Sequence, residues 1–200
     1  GHHYDDDPIY GLEVNKLIIK EGFRLLKERG ICLLFCDIEH FLELREHAKS
    51  QGFTAWRTPV IWQKGAEGFA PWGKDGFVRT YETLLYLTKG AKGLKGGGPD
   101  IKSFARTGRS ERSHAAEKPV ALLSHLLNLA GDSGDLVLDP CCGSGPTLEA
   151  ATEQRMRVVA IELDPDYHAE AVARLTKEAE EDDGYHFVPP PAAAESKNTS

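Results

Sequence analysis

The chain has no apolar run approaching the ~20 residues that a membrane-spanning helix needs. Its first residues do not follow the charged, apolar, small-residue order of a secretory signal. Cysteine is scarce, with Cys32, Cys36, Cys141 and Cys142 the four in 200 residues. Neither pair has C-x2-C spacing, which argues against a zinc site. The cysteines are therefore expected to be buried, reduced thiols of an intracellular protein. Net positive charge is missing too. The formal net charge is −7, so the chain as a whole is not a basic nucleic-acid binder. The deficit is uneven. Between Arg57 and Lys118 twelve Lys/Arg stand against six Asp/Glu, and the rest of the chain carries twelve against 25. A basic middle between acidic flanks suits one phosphate-facing side; a solvated lysine-rich loop explains the charge equally well.

An apolar fraction of 40% over 200 residues supports one domain with a sizeable core. Leu12, Ile18, Ile19, Phe23 and Leu26 recur at helical spacing, and Gly30 ends that helix. The run ICLLFC (31–36) suits a buried parallel strand. A second helix follows to Ser50, then a strand pair or bent strand in FTAWRTPVIW (53–62), a loop over 63–77 and a strand in YETLLYLT (81–88). Residues 101–113 read as irregular. Helices are expected from Pro119 to about Ala130, from Pro146, and from Asp166 to about Glu180. Strands are expected at 135–138 and 157–163. The alternation predicts an α/β fold, a parallel sheet covered on both faces. Residues 1–183 form the expected domain, with a flexible basic loop at 89–112 and a Pro/Ala/Ser-rich disordered tail at 184–200. Trp56, Trp62 and Trp72 are expected to serve core or sheet packing.

Two stretches carry chemistry. LVLDPCCGSGPTLEAA (136–151) reads as strand, glycine turn and helix. Gly143 and Gly145 let backbone approach a ligand closely, and the turn presents helix N-terminal amides. The G-x-G-x-x-G spacing of a dinucleotide site is absent, and so is the G-K-[ST] of a P-loop. Instead Asp139 ends the strand, and a carboxylate suits a cationic amino group better than a pyrophosphate. Glu162 ends the next strand, where an acidic residue can accept hydrogen bonds from both ribose hydroxyls. The expected ligand carries a ribose and an amino-acid-like cation without an essential phosphate. S-adenosylmethionine has those features.

The motifs taken together resemble the amino-group DNA methyltransferases, which make N6-methyladenine or N4-methylcytosine. DPCCGSGPT (139–147) is similar to the family's D-P-F-x-G-S-G-T. SHAAEKPVALLSHLL (113–127) is similar to its H-P-T-Q-K-P-x-x-L, and IELDPDYHAEAVARL (161–175) to its acidic motif and following helix. TPVIWQKG (58–65) and RTYETLLYLTKG (79–90) resemble its W-x-K and E-x-h-h-h-x-x-K-G strands. DPIY (7–10) falls where the family has D-P-P-Y. The catalytic motif comes first and the cofactor motif last, as in the family's permuted β group.

The resemblance implies a Rossmann-like S-adenosylmethionine-dependent methyltransferase sheet, with double-stranded DNA as partner, in a bacterial or phage-encoded cytoplasmic enzyme. It implies a catalytic turn of Asp7, Pro8, Ile9 and Tyr10. Asp7 and the backbone carbonyl of Pro8 would accept hydrogen bonds from the target amino group, and Tyr10 would stack on the base. The cofactor would meet Lys118, Pro119, Asp139, Pro140, Cys141, Gly143, Ser144, Gly145, Thr147, Glu162 and Leu163. Phosphates would meet Lys89, Lys92, Lys95, Lys102, Arg106, Arg109 and Arg112, spread through the short segment where the β group places target recognition. Ile9 departs from the second proline, Pro146 from the first threonine of G-S-G-T, and Ala115 and Ala116 from Pro-Thr. The family carries two strands before its D-P-P-Y, whereas six residues precede Asp7. A fragment of a longer parent chain with a further N-terminal segment, or a decayed copy, is the expectation.

Overall fold

The computed structural model describes residues 8–65, 77–91, 93–106 and 117–181. Helix α1 (Pro8–Leu25) begins four residues earlier than the apolar spacing suggests. Pro8 sits at its first position, where the missing N–H costs nothing. Strand β1 (Ile31–Cys36) is followed by a 3-10 turn (Ile38–His40) and helix α2 (Phe41–Gln51), closed by Gly52 in the left-handed region. Strands β2 (Thr54–Ala55), β3 (Val60–Gln63), β4 (Tyr81–Thr88) and β5 (Ile101–Ser103) come next. Then follow α3 (Val120–Ala130), β6 (Leu136–Asp139), α4 (Pro146–Glu153), β7 (Arg157–Ala160) and α5 (Pro165–Glu181).

The described strands make two sheets, and the larger is mixed where sequence alternation predicts parallel. Its order is β1-β4-β3-β5, with β2 also on β4. β1, β2 and β3 all run antiparallel to β4; only β5 joins β3 in parallel. Continuous apolar runs reflect burial on both faces, and burial does not require parallel strands. The central strand β4 shows this. Leu85 and Leu87 pack with Ile19 of α1 and Phe41 and Leu44 of α2, while Leu84 packs on the opposite face with Trp62, Leu122 and Leu126. α1 and α2 thus cover one face and α3 the other. Residues 101–103, expected to be irregular, are held as β5 by pairing with Ile61–Gln63.

The smaller sheet is the parallel pair β6–β7. Its inner residues Val158 and Ala160 pack under Leu148 of α4 and Ala171 and Leu175 of α5. The other face, with Leu136, Leu138, Val159 and Ile161, is exposed among the described residues. Lys27 meets Asp135 at 3.2 Å between the two sheets. β7 ends at Ala160, so Glu162 lies two residues past the strand and not within it.

Two packing expectations need correction. Trp62 is 1% exposed in the core, its indole N–H donating to the Phe104 carbonyl at 2.9 Å, but Trp56 is 57% exposed and only tilts against Tyr86. Trp72 lies outside the described residues. Of the four free cysteines only Cys142 is fully buried; Cys32 and Cys36 are half-buried and Cys141 is exposed. Cys141 follows the strand-ending Asp139-Pro140 step, where the chain has left the sheet. No described helix is long and apolar enough to cross a membrane.

Candidate functional site

The carboxyl ends of parallel strands open a crevice that the connecting turns line. β6 and β7 end side by side, with Asp139 opposite Ala160. The chain then turns through Pro140–Gly145 into α4. Cys142 N–H donates to the Ile161 carbonyl at 3.0 Å, and Gly145 N–H to the Cys142 carbonyl at 3.0 Å. Gly143 (φ 56) and Gly145 (φ 88) adopt left-handed backbone there. They do so for different reasons. A Cβ on Gly143 would meet nothing within 4 Å, so its surroundings stay open to a ligand. A Cβ on Gly145 would lie 2.7 Å from Leu148 Cδ1 and 3.0 Å from Ala171 Cβ, so Gly145 lets α4 and α5 close together. Gly145→Ala combines left-handed strain with overpacking. It is expected to cost about 2–4 kcal/mol, read from denaturant unfolding.

Glu162 is tied into this turn. One carboxylate oxygen accepts from Gly143 N–H at 2.8 Å and the other from Asp164 N–H at 2.8 Å. Each oxygen keeps a further lone pair. Asp139 accepts from Cys141 N–H at 3.0 Å with one oxygen, and its other oxygen has no hydrogen-bond partner among the described residues. Ser144 is 2% exposed, and its hydroxyl is likewise without a partner among the described residues. Thr147 and Pro140 are half-buried at the rim, and Leu163 is 93% exposed beside Glu162. Burial, reinforced by the Asp139 and Glu162 carboxylates, pushes the Cys142 thiol up to about 12; the same causes raise Cys141. Neither cysteine is a thiolate nucleophile at neutral pH.

The Lys118–Pro119 segment leads into α3. Pro119 is buried and caps α3, with φ −61 and ψ 133. Lys118 Nζ lies 3.2 Å from Glu82 and 5.1 Å over the Phe35 ring. Lys64 reaches the same Glu82 at 2.5 Å. Burial acts to raise the Glu82 pKa, but the Lys118 charge and the Lys64 hydrogen bond outweigh it and hold the carboxyl below its ordinary range. Burial, with the Arg106 and Lys118 charges, lowers the Lys64 pKa despite its hydrogen bond to Glu82.

Sequence reasoning therefore located the turn and the strand ends beside it: Asp139, Pro140, Cys141, Gly143, Ser144, Gly145 and Thr147 follow β6 into α4, and Glu162 and Leu163 follow β7. It did not locate the ion pairs of Glu82 or of Arg174, whose guanidinium reaches Glu149 and Glu117 at 3.0 Å each. Arg174 and Glu117 are 57 residues apart, and no spacing signals that contact.

The catalytic and phosphate sets fare differently. Asp7 lies outside the described residues, Pro8 and Ile9 open α1, and Tyr10 is 56% exposed on its first turn. Lys92, Arg109 and Arg112 lie outside the described residues. Lys89 is spent within the fold. Its ammonium donates to the Phe23 and Leu26 carbonyls at 2.8 Å each and lies over the Phe23 ring, satisfying the C-terminal end of α1. Lys95 pairs with Asp132 and donates to the Gly131 carbonyl. Lys102 and Arg106 are half-exposed on and after β5. No group of three metal-ligating side chains occurs among the described residues.

A family model described as a DNA methylase, of the N6/N4 type, matches residues 98–173. YubD of Escherichia coli (strain K12), a methylase by name, is 31% identical over 153 residues, 68% of this chain and 66% of its own. The chain belongs to the amino-group DNA methyltransferase family. A second family member from the same organism, the DNA adenine methyltransferase YhdJ, is 23% identical over 79% of this chain and 64% of its own. The chain thus spans just under two thirds of the length of these relatives. Among solved structures, the M1.HpyAVI–SAM complex superposes with a TM-score of 0.68 at 22% identity, over 80% of this chain and 82% of that one. The cytosine-N4-specific PvuII DNA methyltransferase superposes with a TM-score of 0.69 at 16% identity, over 90% and 79%. These likenesses establish the family's α/β fold for this chain.

Proposed function

We propose that this chain binds S-adenosylmethionine in the β6–β7 crevice and transfers its methyl group to an exocyclic amino group of a DNA base, adenine N6 in preference to cytosine N4. The observation that carries the reading is Glu162, held by the Gly143 amide at the mouth of an open glycine turn. Its spare lone pairs suit vicinal ribose hydroxyls. The free oxygen of Asp139 suits an amino-acid ammonium, and the buried Ser144 hydroxyl lacks only a partner. Exposed Leu163 offers an apolar surface beside the acid, suited to a purine ring. The acceptor set fits a ribose and an ammonium, and nothing in it calls for a phosphate.

When bound, S-adenosylmethionine supplies an electrophilic sulfonium methyl. The chain's own residues must make the amine reactive. Its lone pair is delocalised into the base, so acceptors for its N–H groups favour a more tetrahedral, nucleophilic nitrogen. Asp7 and the Pro8 carbonyl are the proposed acceptors, and Tyr10, exposed at the start of α1, is the proposed stacking partner. The target base must leave the duplex to reach them. Rate then comes from positioning and electrostatics. Adenine is favoured because the family uses Asp at the first catalytic position mainly for adenine. YhdJ is named for adenine and PvuII for cytosine N4, so the relatives support the shared chemistry and leave the base to Asp7. Lys102 and Arg106 remain the described candidates for DNA phosphates. A bound but inactive scaffold is the second reading, favoured by Ile9 in place of the family's proline.

The test is direct. The protein is incubated with unmethylated duplex DNA and S-adenosylmethionine, and the digested nucleosides are identified by mass spectrometry. N6-methyladenine is the expected product. N4-methylcytosine would keep the mechanism and overturn the base. No methylated base, with cofactor bound, would favour the scaffold.

A further inference from the structure

We infer that Arg174 is a positioning residue for the cofactor crevice: through Glu117 and Glu149 it holds the Glu117–Lys118–Pro119 segment against the start of α4. The inference rests on the cofactor reading above and names what keeps that site assembled.

Arg174 stands on α5, the helix that follows the Glu162 turn. Its two terminal nitrogens take different carboxylates, Glu149 and Glu117, each at 3.0 Å. Glu149 lies on the first turn of α4, four residues after Gly145. Glu117 immediately precedes Lys118, and its side chain is 3% exposed. One guanidinium therefore joins the helix after the acidic strand end, the helix after the glycine turn and the segment entering α3.

Lys118 carries the connection onward. It pairs with Glu82 of β4, in the other sheet. Neighbouring residues 117 and 118 are thus tied to α5, which packs on the smaller sheet, and to β4 of the larger one, and among the described residues no strand pairing joins those sheets. The α4–α5 contact does not depend on Arg174, because Leu148, Ala171 and Leu175 form their own apolar cluster. What Arg174 adds is the placement of residues 117–119 relative to the turn. A buried carboxylate such as Glu117 costs desolvation that only a close, well-directed partner offsets. Lysine has a single ammonium and cannot reproduce a fork aimed at two separate carboxylates.

The experiment measures S-adenosylmethionine affinity by calorimetry for the wild type, R174M, R174K, E149Q, E117Q and the E117Q/R174M pair. Methyl-transfer kinetics follow on the same proteins. R174M is expected to weaken binding by about tenfold or more, as misplacement of a site does, with KM for the cofactor rising more than kcat falls. R174K should recover part of the affinity. In the E117Q background R174M should cost much less than in the wild type, because the two act as one unit. Wild-type affinity in folded R174M, or a loss undiminished by E117Q, would overturn the inference. Should R174M fail to fold, R174K and E149Q decide: weakened binding in both supports it, and wild-type binding in both overturns it. A wild type that binds no cofactor would overturn the cofactor reading itself, and this inference with it.

Discussion

Glu162→Ala is expected to weaken S-adenosylmethionine binding by about 1–3 kcal/mol, roughly 5- to 150-fold in dissociation constant. Two effects combine. The ligand loses a charged acceptor, and the Gly143 and Asp164 amides lose theirs, at 2.8 Å each in the folded protein. The second effect makes the substitution more than a lost contact. Gly143 sits at φ 56 in open surroundings, so little besides that amide hydrogen bond restrains it. Glu162→Gln separates the two parts, since its carbonyl oxygen still accepts one amide without the charge. It should fall between wild type and alanine. Calorimetric titration reads the affinity, and an alanine variant that binds as the wild type does would remove Glu162 from the cofactor site.

Asp7→Ala is expected to have the larger effect on rate, reducing methyl transfer roughly 10²–10³-fold, as loss of a preorganised electrostatic partner at a reacting group does. Asp7 immediately precedes Pro8, the first residue of α1, and is the only carboxylate of the DPIY turn. Its proposed task begins only when the target amine arrives. Cofactor affinity should therefore stay near wild type, because Asp139, Glu162 and the glycine turn are untouched. Single-turnover methyl transfer, with calorimetry on the same preparation, separates the two quantities. A variant within a few-fold of the wild-type rate would remove Asp7 from catalysis. Equal loss of rate and cofactor binding would instead place it in the binding site.

These two residues also differ in how their roles could be read. Glu162 was legible because strand, glycine turn, helix and acidic tip lie within 30 residues of each other, and local backbone chemistry dictates each part. Pro146 at the first helical position and left-handed Gly145 before it make the start of α4 a local matter. β4 was equally legible, since YETLLYLT is rich in aromatic, leucine and threonine residues and is followed by Lys89-Gly90. Asp7 was legible only through the order of motifs across the chain.

Other parts needed the folded chain. Lys89 looked like one more cation in a basic segment, yet it serves the carbonyls of α1, 63 and 66 residues away. Trp56 and Trp62 are six residues apart and chemically identical, but one is exposed and the other is core. The difference is that β3 faces α3 while Trp56 sits between strands.

The sequence by itself determined the positions of most helices and strands, the turn that offers amides to a ligand, and the two carboxylates beside it. Those depend on neighbours in the chain, on caps, glycines and apolar spacing. The tertiary structure alone decided that β1, β2 and β3 run antiparallel to β4, that the strands divide into two sheets, and that Glu117 and Lys118 bridge them through Arg174 and Glu82. Those depend on which distant surfaces bury each other, and a run of apolar residues says how much is buried without saying against what.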